Sequence, residues 1–149
     1  MALQTFNFKL TMSYKEQFIW KRAVQLAIHC YKFTKLFPNS ELYGLTCQIR
    51  RSGVSVASNI AEGYGRRSRQ EYIHFLHIAL GSLRELDTQL IIAKELDLAE
   101  KKLFIPIMNE VEEMQSILVA TLNKLKADAP TKAKPGVEEI KKMSEKRTV

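Results

Sequence analysis

The stretch that constrains the fold most runs from Gln48 to Glu85, QIRRSGVSVASNIAEGYGRRSRQEYIHFLHIALGSLRE. On both sides of a Gly-and-Arg corner its apolar residues recur every three or four positions, the spacing of a helix with one buried face. Before the corner, Ile49, Gly53, Val56 and Ile60 fall on one side of such a helix, and Arg51, Ser55, Ser58 and Glu62 on the other. Ser52, Ala57 and Ala61, all small, lie between them. A mid-helix glycine costs roughly 0.5–1 kcal/mol relative to alanine, so helix propensity does not explain this run. Close approach of neighbours does, and it puts the helix either at the centre of a bundle or in a subunit contact.

The rest of the chain repeats the helical pattern. Ser13 and Glu16 have the spacing of a capping box, which predicts a first helix over residues 14–36 with Trp20, Ala23, Val24, Ala27, Cys30, Tyr31 and Thr34 on its apolar stripe. Phe37-Pro38-Asn39-Ser40 breaks it, and Ser40 is placed to cap a second helix over 41–64, whose stripe also takes in Leu42 and Leu45. Gly63 and Gly65 suit a left-handed helix end. Ser68 and Glu71 form another capping-box pattern and open a third helix over 69–96, buried along Tyr72, Phe75, Leu76, Ala79, Leu83, Leu86, Leu90 and Ala93. After a turn at Asp97-Leu98, a fourth helix covers 99–127 along Ile107, Val111, Met114, Leu118, Thr121 and Leu125, with a kink expected at Pro106. Four amphipathic helices joined by short loops predict an all-α, antiparallel up-down-up-down four-helix bundle over residues 13–127. Residues 1–12 form a short arm in which Phe6, Phe8 and Leu10 alternate with polar residues; from residue 128 the composition predicts a disordered charged tail, with a short helix over 137–146 on contact with a partner.

Charge is unevenly placed. The net charge is +7, but residues 1–69 hold 11 Lys/Arg against 3 Asp/Glu, while residues 70–149 hold 12 against 13. A basic half beside a near-neutral half points to a polyanion, RNA or DNA. The candidate contacts are Lys21, Arg22, Arg50, Arg51, Arg66, Arg67 and Arg69. Three of these flank the start of the third helix, where free amides and arginines together attract phosphate oxygens. Trp20 and Tyr31 lie on the core stripe and are poorly placed to stack on bases, so contact should be with the backbone, salt-sensitive and weakly sequence-specific. The competing reading is a protein–protein scaffold, with the arginines paired to the acidic Glu110, Glu112 and Glu113 or to a neighbouring subunit. On the far side of the third helix, Ile78 and Ile92 with Gly81 and Glu85 between them suggest an oligomer interface, joined by Ser55, Ser58, Asn59 and Glu62 from the second.

Chemistry is hard to place. His74 and His77, i and i+3, have only Glu71 and Glu85 near them as further metal ligands. His29 and Cys30 are adjacent on a helix and point about 100° apart, which prevents a productive pair. Gly63-Tyr64-Gly65 follows a helix rather than a strand and lacks the P-loop spacing. No enzyme, cofactor or metal is expected. The two cysteines, the absence of a long apolar run and an N-terminus unlike a signal peptide suggest a cytoplasmic protein with no membrane span.

Several strings together resemble the 23S rRNA intervening-sequence protein family. They are Trp20-Lys21-Arg22-Ala23, Phe37-Pro38 with Glu41-Leu42-Tyr43-Gly44-Leu45, Gln48-Ile49-Arg50-Arg51, and most of all SNIAEGYGR (58–66) followed by Phe75-Leu76 and ALGSLREL (79–86). The resemblance covers about residues 14–126 and leaves out the arm and tail. It implies a four-helix subunit assembling into a ring-like homopentamer. It also implies kinship with basic, nucleic-acid-binding accessory variability proteins of diversity-generating retroelements, which associate with a reverse transcriptase. No catalytic residues come with the family.

Overall fold

The computed structural model describes residues 13–128, so the expected arm and the tail beyond residue 128 lie outside the described residues. Four α-helices carry the chain: α1 (Phe18–Phe33), α2 (Leu45–Gly65), α3 (Arg69–Glu95) and α4 (Lys101–Ala127). No strand occurs among the described residues. Each helix packs on its sequence neighbours, most extensively α2 on α3, and α1 closes on α4. Cross-helix pairs fix the directions. Ser55 meets Ser82 while Gly63 meets Phe75, so α2 and α3 are antiparallel. Arg22 meets Glu113 while Phe33 meets Phe104, so α1 and α4 are too. The core is one cluster centred on Leu26, Ile49, Ile60, Leu76, Leu83, Leu86, Leu90, Phe104 and Leu118, all fully buried.

The departures from expectation have local causes. The buried line of α1 is Ile19, Ala23, Leu26, Ala27 and Cys30, whereas Trp20 is half-buried and Tyr31 is exposed. The larger aliphatics Ile19 and Leu26 win the core, and the face read as the stripe is turned partly outward. Ser13 does accept from an amide, that of Lys15, but it caps a short 3-10 turn (Tyr14–Glu16), and α1 starts beyond it without a side-chain cap. Ser40 caps nothing; it sits inside a 3-10 turn (Asn39–Glu41), and α2 begins later, at Leu45, whose amide donates to the Glu41 carboxylate at 3.1 Å. That later start leaves Leu42 exposed. In α4 the buried line takes in Phe104 and Leu122, while Thr121 and Leu125 are only half-buried, and the helix continues through Pro106. Phe33 packs edge-on against both Phe37 (5.4 Å) and Phe104 (4.8 Å), locking the end of α1 to the start of α4.

The two corner glycines are not left-handed; no described glycine has positive φ. Gly63 is buried within α2 because α3 passes so close that a Cβ there would lie 2.6 Å from Phe75 Cβ. The left-handed residue is Asp97 (φ 54°), which ends α3 in a Schellman motif: Asp97 N–H donates to Lys94 O, and Leu98 N–H to Ala93 O.

Candidate functional site

The corner between α2 and α3 is built by a capping box. Ser68 accepts from Glu71 N–H at 3.1 Å, its own N–H donates to the Glu71 carboxylate, and its hydroxyl donates to the same oxygen at 2.8 Å. The two Ser68 hydrogen bonds, and then the charges of Arg66 and Arg67, hold the Glu71 carboxyl below the usual carboxylate range. An internal anion therefore already takes part of what the start of α3 offers, and the arginines carry the positive field outward.

Each arginine has a different fate. Arg66 pairs with Glu62 one turn back at 2.5 Å and lies over the Phe75 ring at 4.9 Å. Arg69 donates to the carbonyl of Asp128, capping the end of α4. Arg67 is exposed and makes no ion pair among the described residues. Lys124 and Lys126, in the last turn of α4, share this end of the bundle, as the Arg69–Asp128 contact shows. Sequence reasoning passed over both lysines, although a basic last helical turn is a recognisable signal. Lys21 and Arg22 stand in the first half of α1, where Arg22 is tied at 2.6 Å to Glu113, about 22 Å along α4 from Asp128 at 1.5 Å per residue.

Arg50 and Arg51 belong elsewhere, about 22 Å along the α2 axis from Arg66 at 1.5 Å per residue. Arg50 is held within the chain: its Nε donates to Thr34 Oγ1 at 2.9 Å and its guanidinium lies over Tyr31. Arg51 is exposed and does not join Glu62, which is taken by Arg66. The seven basic candidates thus divide into three groups: Arg66, Arg67 and Arg69 at the corner, Lys21 and Arg22 on α1, and Arg50 and Arg51 farther along α2.

The oligomer candidates divide as well. Asn59 donates to the carbonyl and hydroxyl of Ser55 on its own helix rather than across helices; the cross-helix bond is Ser55 to Ser82, at 2.9 Å. Glu85 accepts from Gln89, whose buried carboxamide oxygen has no hydrogen-bond partner. Ile78, Gly81 and Ile92 are exposed, and nothing lies within 4 Å of a Cβ at Gly81. Ser58 is exposed on the other flank of α2.

No group of three His, Cys, Asp or Glu among the described residues could hold a metal ion; His74 and His77 are exposed. His29 turns away from Cys30 to Glu110, with Nδ1 2.7 Å from its carboxylate. Burial, reinforced by the Glu110 charge, pushes the Cys30 thiol up to about 12, which leaves it inert as a nucleophile. No described helix is long and apolar enough to cross a membrane.

The family model for the 23S rRNA-intervening sequence protein matches residues 15–120. No curated protein matches. Among solved structures, a protein of unknown function from the S23 ribosomal protein family of Bacteroides thetaiotaomicron superposes with a TM-score of 0.63 at 24% identity, covering 70% of this chain and 97% of that one. That likeness supports the helical fold.

Proposed function

The chain belongs to the 23S rRNA-intervening sequence protein family, and from that premise we propose that it is a non-enzymatic, oligomeric nucleic-acid-binding protein. The proposed ligand is RNA or DNA, held through its phosphate backbone with weak sequence preference. The observation that carries this reading is the corner end of the bundle, where Arg66, Arg67 and Arg69 stand beside Lys124 and Lys126 and Arg67 makes no ion pair among the described residues. The proposed assembly is a homopentamer in the cytoplasm, serving as accessory to a ribonucleoprotein or to a nucleic-acid enzyme such as a reverse transcriptase. Reversing Arg66, Arg67 and Arg69 to Glu should weaken binding in a salt-titrated gel shift and lower the log–log salt slope by roughly 2–3, near one unit per lost phosphate contact. Binding and slope equal to the parent's would remove the corner as the site.

A second reading is a protein–protein scaffold with no direct nucleic-acid contact. It is favoured by the arginines already occupied within the chain: Arg22 by Glu113, Arg66 by Glu62, and Arg50 by Thr34 and Tyr31. It requires negligible nucleic-acid affinity at physiological salt together with a stable oligomer mass.

A further inference from the structure

Beside α2, on the side away from α3, an open groove of 630 Å³ runs along α1. Its walls are mostly apolar, with Trp20, Val24, Ile28 and Tyr31 from α1 and Val54 and Ala61 from α2, and two lysines, Lys32 and Lys35, line it as well. Ile28, Tyr31 and Val54 stay 42–47% exposed. Among the described residues no carboxylate lines it. This is the face of α1 that reads as core in the sequence, and the described chain leaves it uncovered.

We infer that the groove is the seat of the chain's own N-terminal arm. Position is the first argument. The arm joins the described chain at Ser13, whose backbone is extended (φ −68°, ψ 145°). The next residue, Tyr14, already lines the groove, with its ring edge-on to Trp20 at 5.2 Å. Reach is the second. Twelve residues at about 3.3 Å each span about 40 Å, against about 20 Å of α1 from Trp20 to Phe33 at 1.5 Å per residue. Pattern is the third. In QTFNFKLTM (4–12), Phe6, Phe8, Leu10 and Met12 alternate with Thr5, Asn7, Lys9 and Thr11. An extended segment with period 2 presents one apolar edge and one polar edge, as a strip lying between two helices and facing water requires. A helix, 10–12 Å across with its side chains, is a poorer match for a furrow between adjacent helices.

The single tryptophan, Trp20, reports directly on occupancy. In the full chain its emission should be blue-shifted and resistant to acrylamide. The F6S/F8S/L10S variant should shift that emission to the red and raise the quenching constant roughly two-fold, as expected when a large apolar group is returned to water, with helicity and sedimentation mass unchanged. A chain lacking residues 2–11 should behave the same way. Unchanged Trp20 emission and quenching in both variants would overturn the proposal. So would a rise in quenching accompanied by a fall in mass, because the groove would then be covered by a second copy of the chain.

Discussion

Along its α3 side, α2 presents Ser55 and Gly63 to a helix so near that a methyl group at Gly63 would lie 2.6 Å from Phe75 Cβ; along its α1 side the equally small Ala57, Ser58 and Ala61 line an open furrow. Residue size is the same on both flanks and its consequence is opposite. On the α3 flank the missing side chains let two backbones approach and hydrogen-bond through Ser55 and Ser82. On the α1 flank they leave a floor for something else. Small residues specify that a neighbour can come close, and only the neighbour's own side chains decide whether it does.

The sharpest way to break this contrast is to add one carbon. Gly63→Ala puts a methyl group against Phe75 Cβ at 2.6 Å and Tyr72 at 3.2 Å, neither of them the far end of a flexible chain. Overpacking of this kind should cost about 1–3 kcal/mol in urea denaturation. Gly53→Ala, where the nearest atom is Cys30 Sγ at 3.2 Å, should cost less. Equal stability of Gly63→Ala and the parent would mean that α3 shifts freely and that the close approach is incidental.

Removing a hydrogen bond tests the same division at a smaller scale. Ser82→Ala deletes the partner of Ser55 across the α2–α3 seam and should cost about 1 kcal/mol. Ser58→Ala, on the furrow side, should stay within about 0.5 kcal/mol of the parent. If the two variants melt together, the seam carries no more than the furrow does. Gly81→Ala on the exposed face of α3 should have the opposite sign: the added methyl meets nothing within 4 Å, so helix propensity alone should stabilise the subunit by about 0.5–1 kcal/mol. A Gly81→Ala chain that gains no stability and loses sedimentation mass would show that this face is a subunit contact.

How much of this was readable beforehand depends on the kind of signal. Helix count, direction and most of the buried line of α3 follow from periodicity, although Phe75 is only half-buried and Leu80, Ser82 and Gln89 join the line, and the Ser68–Glu71 box follows from spacing, because these signals are local. Trp20 and Tyr31 are core residues by type and draw the expected stripe of α1 toward them, whereas their depth is set by where α2 and α4 sit. Gly63 has the local signature of a turn, but its role is a tertiary contact with Phe75. For the same reason the fates of the arginines were hidden. Glu113 lies 91 residues from Arg22, and Asp128 lies 59 from Arg69. No local pattern announces such partners.

The α3 flank ends at the corner, and there the smallest effect is expected. Glu71 is fully exposed, and its carboxyl is held low by Ser68 and then by Arg66 and Arg67. A folded-state value below the unfolded one means that the ionised carboxylate stabilises the fold. That contribution is complete above the ordinary carboxylate range, near 4.5, and disappears as pH falls through the lowered folded value. Glu71→Gln should therefore melt slightly below the parent at pH 7, and the two curves should converge in acid. The same change removes the anion that competes with phosphate for Arg66 and Arg67, so nucleic-acid binding should tighten while Arg67→Glu loosens it. A melting difference independent of pH would show that the cap works through hydrogen-bond geometry alone. Opposite signs for Glu71→Gln and Arg67→Glu in one gel-shift series would tie the corner's field to the ligand.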